Sequence, residues 1–207
     1  MKIETLEIAG LYTAIKGMRN PMNSWHKADS KFNGDGEFII GQNDLKLAQR
    51  LILAGTEHGK FMRQIYVSFD IEAPLFWWLE ADTYHYNTKN SCSTMHKLMS
   101  RHVTLADFEN FDNKEELLKP VITQLNKLID KYNEKSLTQE EKTKILVQAK
   151  SILPSSYLQK RTVSSNYQEV RNIYFQRRHH RLTLWSVDFC NWVKTLPYAN
   201  ELILLEK

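Results

Sequence analysis

Two cysteines, Cys92 and Cys190, are all that the 207 residues contain, and they form neither a CxxC pair nor a disulfide ladder. That excludes a disulfide-stapled secreted scaffold and makes a reducing cytoplasm the expected location. No apolar run reaches about 18 residues, so no membrane span is expected. Seven glycines and five prolines are too few for a fibrous or disordered chain. The first residues include the acids Glu4 and Glu7 where a signal peptide would be apolar, so none is expected. GxSxG, Walker A and GxGxxG motifs are missing, which removes the nucleophile-elbow, P-loop and Rossmann signatures. The seven histidines show no HExxH or HxH spacing and pair with neither cysteine, so no metal site is expected. Internal repeats, low-complexity tracts and long linkers are also missing.

What is present reads as a soluble globular protein, 42% apolar and 25% charged. The length suits a single domain, residues 1–207, with a helical insertion near 105–150. The net charge of +4 is mild. It suits an anionic small molecule better than nucleic acid, which would call for a concentrated basic face.

Residues 2–8 read as a short strand. Asn20-Pro21 is a turn signal with Arg19 and Ser24 beside it, and 27–41 reads as a loop. Asn43 or Asp44 is the expected cap of a helix that ends at Gly55. Residues 61–71 alternate, with Phe61, Arg63, Ile65, Val67, Phe69 and Ile71 on one face, which predicts a strand. Pro74 then suits the first turn of an aromatic helix.

Thr104 to Asp112 looks like a helix start and a loop. Residues 115–132 carry the cleanest helical stripe, Leu117, Leu118, Val121, Ile122, Leu125, Leu128 and Ile129, with Pro120 a candidate for the true first turn. Thr138-Gln-Glu-Glu141 reads as a capping box for a helix that Pro154 stops. Further helices are predicted near 163–177 and 182–195, the second burying Leu182, Trp185, Phe189, Trp192 and Val193. Leu202 to Leu205 reads as a last strand. Helices outnumber strands without regular alternation, which predicts an α+β fold.

Three segments hold residues suited to chemistry. Between 83 and 93 the chain crowds Thr83, Tyr84, His85, Thr88, Asn90, Ser91 and Ser93 together. These suit a polar pocket wall, or a loop that satisfies its own backbone. The second segment runs from Leu153-Pro154 through Lys160 and Asn166 to Arg171 and the basic run 177–181. It is a solvated charged face or an oxyanion clamp, since guanidinium forks match phosphate and carboxylate in bidentate fashion. Arg177 follows Tyr174 and Ile173 at helical spacing, which turns it to their side. The third is His58, in the loop between a helix and the strand: a surface histidine or a ligand contact.

Taken together these segments resemble the flavin-dependent thymidylate synthase family. That family's signature is Arg-His-Arg, seven residues and a serine, shortly after an Ala-Pro that opens a helix. Here Ala73-Pro74 precedes Thr83-Tyr84-His85, seven residues and Ser93. Asn90 falls at the family's Asn, His58 at its flavin-contacting histidine, and Leu153-Pro154, Lys160, Asn166 and Arg177 follow its downstream order. The resemblance covers about residues 45–100 and 148–196. Thr83, Tyr84 and His85 replace Arg-His-Arg, Ser91 replaces a Glu, and Met95 replaces an Arg. Lys97, Arg101 and Arg19 are the candidates to replace the lost charge.

The resemblance implies a central, mostly antiparallel sheet packed with helices, and a homotetramer that binds FAD between subunits. It implies NADPH and methylene-tetrahydrofolate as co-substrates and a pyrimidine nucleotide, dUMP or a relative, as acceptor at its 5-position. By position, Ser93 and Arg177 become the catalytic residues, and His58, Tyr84, His85, Asn90 and Asn166 the flavin contacts. Glu80, Ser91, Ser93, Lys160 and Arg177 become the nucleotide contacts. Such a site needs no enzymatic nucleophile, because the cofactors carry the hard chemistry and the protein supplies orientation and charge. Two alternatives stand beside this one. One is a nucleotide-binding protein of the same fold without turnover. The other is a basic nucleic-acid binder using 177–181 with Tyr174 and Trp185, which the near-balanced charge disfavours.

Overall fold

The computed structural model describes residues 1–206. In chain order the elements are β1 (Lys2–Ala9), α1 (Leu11–Gly17), β2 (Lys31–Phe32), β3 (Phe38–Ile39), α2 (Gln42–Leu53), β4 (Tyr66–Pro74), α3 (Leu75–Ala81), β5 (Thr88–Ser91), α4 (Thr94–Lys97), α5 (Lys114–Tyr132), α6 (Gln139–Ile152), β6 (Leu158–Asn166), α7 (Tyr167–Arg177) and α8 (Cys190–Lys194). An antiparallel four-stranded sheet runs in the order β1-β4-β6-β5, and β2 and β3 form a small antiparallel hairpin. The class is α+β, as the sequence predicts. Among the described residues no helix is long and apolar enough to cross a membrane.

The chain divides into two compact units. The first comprises Met1, Ile71–Tyr84 and Asn90–Arg161. Its core is the α5–α6 pair, with Leu118, Leu125 and Ile129 facing Ile145, Leu146 and Ala149. Burying each large aliphatic side chain is worth about 1.5–3 kcal/mol, so this stripe alone outweighs the weak helix propensities around it. The capping box is formed as predicted: the Thr138 hydroxyl accepts from the Glu141 backbone N–H at 3.3 Å, and the Glu141 carboxylate accepts from the Thr138 N–H at 2.8 Å. The α5 helix begins at Lys114, and Pro120 lies within it rather than in its first turn.

The second unit comprises Lys2–Asp70, His85–Lys89 and the segment from Thr162 onward. Trp185, Tyr167, Ile15, Met62 and Leu202 are fully buried here. The Tyr167 hydroxyl donates to the Pro197 carbonyl at 2.9 Å, and burial pushes its pKa well above the usual tyrosine value. Gly10 sits at φ 85 with the Gln64 carbonyl oxygen 2.1 Å from where a Cβ would stand, so no other residue fits there.

Several expectations are corrected. Residues 59–64 form a 3-10 helix, so the strand begins at Tyr66 and runs to Pro74. The loop 27–41 contains the β2–β3 hairpin. Pro74 ends β4 and caps α3 from outside its first turn. Residues 163–166 belong to β6, so that α7 starts only at Tyr167. Ala199–Ile203 is a π-helical turn where a final strand is expected. Gly41 precedes α2, and Asp44 lies buried in its first turn instead of capping it. Asp44 accepts from Arg19 Nε at 2.5 Å, from the backbone N–H groups of Asp29 and Ser30, and from the Ser30 hydroxyl. Arg19 is thereby committed within the second unit and leaves the set of replacement cations.

Candidate nucleotide pocket

A pocket of about 180 Å³ opens in the first unit, at the start of β6. The strand register builds it. The Cys92 backbone N–H donates to the Lys160 carbonyl at 2.9 Å, which ties the chain leaving β5 to β6. Ser93 follows directly and opens α4, whose single turn closes through Lys97 N–H to the Ser93 carbonyl at 2.9 Å. Buried Leu98 and Met99 anchor the next turn in the α5–α6 core. Ser93, Thr94, Lys97 and Lys160 all line the pocket, together with Glu72, Cys92, Arg101, Asp107, Tyr157 and Gln159. Two distant segments singled out in the sequence, around Ser93 and around Lys160, therefore meet in one place.

The charges of the pocket are partly paired. Arg101 donates to both Asp107 oxygens, one at 3.0 Å, and to the His102 carbonyl at 2.9 Å. Burial alone would raise the Asp107 pKa. The bonds from Arg101 and Thr104 outweigh it and hold the carboxyl below the usual range. Asp107 also completes a capping box with Thr104, which the sequence marks only as a helix start. Burial raises the Tyr157 pKa, so its hydroxyl remains a donor at neutral pH.

A bonded relay fixes the pocket floor. Gln159 Nε2 donates to the Cys92 carbonyl at 2.8 Å, and Gln159 Oε1 accepts from Arg161 Nε at 3.0 Å. Arg161 holds Asp82 with bonds of 2.8 and 3.1 Å and lies 4.2 Å over the Trp78 ring. Sequence reasoning passes over Asp107, Tyr157, Gln159 and Arg161, because nothing local marks a glutamine or tyrosine as a pocket wall.

The other predicted residues are placed as follows. Glu80 is half-buried on α3, and its carbonyl accepts the Thr83 hydroxyl at 2.7 Å. Tyr84 is half-buried, while Asn90 and Ser91 are exposed on β5, Ser91 outside the pocket lining. In the second unit His58 and His85 are exposed, His58 just ahead of the 3-10 turn. Asn166 caps α7, its side-chain oxygen accepting from the Glu169 N–H at 3.0 Å. Arg177 is half-buried with its guanidinium 4.8 Å over the Trp185 ring. Trp185 is only 1% exposed, which leaves it no face for stacking a nucleic-acid base. Arg178 pairs with Glu206, and Arg171 donates to the Ile203 carbonyl, so the basic run is not uniformly solvated.

Glu169, which the sequence reading omits, is buried beside Lys89 and His85. Its signal was the Asn166-to-Glu169 capping spacing. Burial pushes its carboxyl up, and Lys89, Asn172 and His85 offset this only in part. A raised carboxyl pKa in the fold favours folding below the unfolded pKa, and that contribution is lost as pH rises through the folded value. Glu169→Gln is therefore expected to raise the melting temperature by a few degrees at neutral pH and leave it unchanged in acid. Thermal unfolding scanned over pH reads this directly, and a variant less stable at neutral pH contradicts it.

No family model matches the chain, and no curated protein does. Among solved structures it is similar to the flavin-dependent thymidylate synthase ThyX of Helicobacter pylori, determined with FAD and dUMP. One such structure aligns at TM-score 0.73 and 18% identity over 98% of both chains. A second, also with FAD and dUMP, aligns at TM-score 0.74 and 18% identity over 98% of this chain and 97% of the other. The fold is that of a flavin-dependent thymidylate synthase. At 18% identity the likeness is one of fold. The structural likeness covers 98% of the chain, beyond the two segments in which the sequence shows the resemblance.

Proposed function

We propose that the protein transfers a one-carbon unit to the 5-position of a pyrimidine deoxynucleotide, dUMP or a close relative, in a flavin-dependent reaction. The observation that carries this reading is the meeting of Ser93 and Lys160, with Lys97 and Thr94, in one hydroxyl-lined cationic pocket. The thymidylate synthase fold supports it.

The nucleotide's needs match the groups present. A phosphate takes charge-assisted bonds from Lys160 and a bond from the Ser93 hydroxyl. Ser91 would add a further hydroxyl and Glu80 would orient the base. Arg177 would face a pyrimidine carbonyl, where negative charge develops during attack, and its forked donors suit that task. The Trp185 ring beneath its guanidinium holds the plane of the fork.

FAD is the proposed cofactor, with contacts assigned by the resemblance. His58, His85 and Asn90 are exposed, and the Asn166 oxygen is taken by its own helix, which leaves the carboxamide N–H₂ to donate. These residues with Tyr84 would hold the flavin, and Lys89 contributes positive charge to the stretch where Thr83, Tyr84 and His85 stand in place of arginines. Bound there, FAD supplies redox chemistry, with NADPH as reductant and methylene-tetrahydrofolate as carbon donor. A homotetramer is the proposed assembly.

The test uses purified protein supplied with FAD. It is expected to show flavin absorbance, to bind dUMP in a titration and to oxidise NADPH when dUMP is present. Ser93→Ala and Lys160→Ala are each expected to weaken dUMP binding by about tenfold or more, the usual worth of a charge-assisted bond. Flavin and dUMP binding without NADPH oxidation would favour a nucleotide-binding protein of this fold without turnover. Absence of dUMP binding would sink the reading.

A further inference from the structure

The three cations that line the pocket are not equivalent. Arg101 is committed to Asp107 and to the His102 carbonyl. Lys160 belongs to β6, its carbonyl fixed by the Cys92 N–H. The Lys97 ammonium makes no hydrogen bond or ion pair among the described residues, although it lies on the pocket wall. It follows Ser93 by four residues and Thr94 by three, so one turn of helix stacks two hydroxyls and this cation on one face. Glu72 and Asp107 are the acids of the lining, and Arg101 neutralises Asp107. The pocket is left with an excess of positive charge whose uncommitted member is Lys97.

We propose that Lys97 is a second cation, beside Lys160, that this pocket presents to the phosphate of a nucleoside monophosphate, with Thr94 donating beside it. The inference rests on the nucleotide reading above and assigns a residue to it. A flexible lysine suits the role, because it is a point charge that follows a phosphate rather than demanding fork geometry. Lys150 is the nearest rival. It lies 3.1 Å from the Met95 sulfur but is exposed and does not line the pocket.

The experiment titrates dUMP and deoxyuridine into wild-type protein and into Lys97→Gln, Lys97→Arg, Lys150→Gln and Lys160→Gln. Lys97→Gln is expected to lose about tenfold or more in dUMP affinity. It should bind deoxyuridine, which has no phosphate, as the wild type does. Lys97→Arg should recover most of the loss, and Lys150→Gln should match wild type. Because Lys97 is exposed, the melting temperature should not change. Wild-type dUMP affinity in Lys97→Gln, with loss in Lys160→Gln, overturns the assignment of Lys97 and leaves the nucleotide reading standing. Failure of the wild type to bind dUMP overturns both.

Discussion

Asp44→Ala is expected to destabilise the protein by about 3–5 kcal/mol, the usual effect of removing one partner of a buried ion pair. Asp44 is 0% exposed and Arg19 4% exposed, so neither charge can recover its hydration when the other is lost. The variant also strands the backbone N–H groups of Asp29 and Ser30, both of which donate to the same carboxylate oxygen. Burial alone would raise the Asp44 pKa. The bonds from Ser30 and Arg19, with those from the backbone of Ser30 and Asp29, outweigh burial and hold the carboxyl below its usual range. A depressed carboxylate pKa stabilises the fold above the unfolded pKa, and the benefit is lost as pH falls through the folded value. Wild-type stability should therefore decline in acid more steeply than that of Asp44→Ala. Urea unfolding at neutral and acidic pH measures both effects. The double variant Arg19→Met with Asp44→Leu should recover much of the loss, because it removes the orphaned charge as well as its partner. A neutral-pH midpoint for Asp44→Ala equal to wild type would refute the account.

That pair also shows where the sequence stopped being legible. Asp44 has the position of a helix cap, and only a partner 25 residues away reveals it as a buried counter-ion. The β6 strand was hidden for a related reason. Its buried positions include Gln159 and Ser165 beside Val163, so the apolar alternation that betrays a half-buried strand is missing. Leu202 to Leu205 misled in the opposite way, since a short apolar run looks alike whether it packs as a strand or as a helical turn. Two local signals in the α5–α6 pair held. The Thr138–Glu141 box is formed as its spacing predicts, and so is the α5 stripe apart from Leu117, which is exposed.

The site divides along the same line. The hydroxyl-rich run ending at Ser93 and the basic residue Lys160 were readable as chemistry, but their meeting depends on the register of β5 against β6. Residues that shape the pocket without charge, such as Gln159 and Tyr157, carry no local mark at all.

Trp78→Ala is expected to cost about 3–5 kcal/mol and to loosen the pocket at the same time. The ring is 1% exposed and packs edge-on against Trp77 with centroids 4.8 Å apart, so its loss leaves a large cavity. Its indole N–H donates to the Gln159 carbonyl at 2.9 Å, and Arg161 stacks on its face. Gln159 in turn holds the Cys92 carbonyl, one residue before Ser93. Removing Trp78 thus frees the strand end that places Ser93 and Lys160 together. Trp78→Phe separates the two contributions. It keeps most of the packing but removes the indole N–H donor to the Gln159 carbonyl, a loss of about 0.5–1.5 kcal/mol. Under conditions where both variants remain folded by circular dichroism, dUMP affinity should fall in Trp78→Ala and, less steeply, in Trp78→Phe. If Trp78→Ala is destabilised yet binds dUMP as the wild type does, the relay through Gln159 does not position the pocket, and Trp78 serves the core alone.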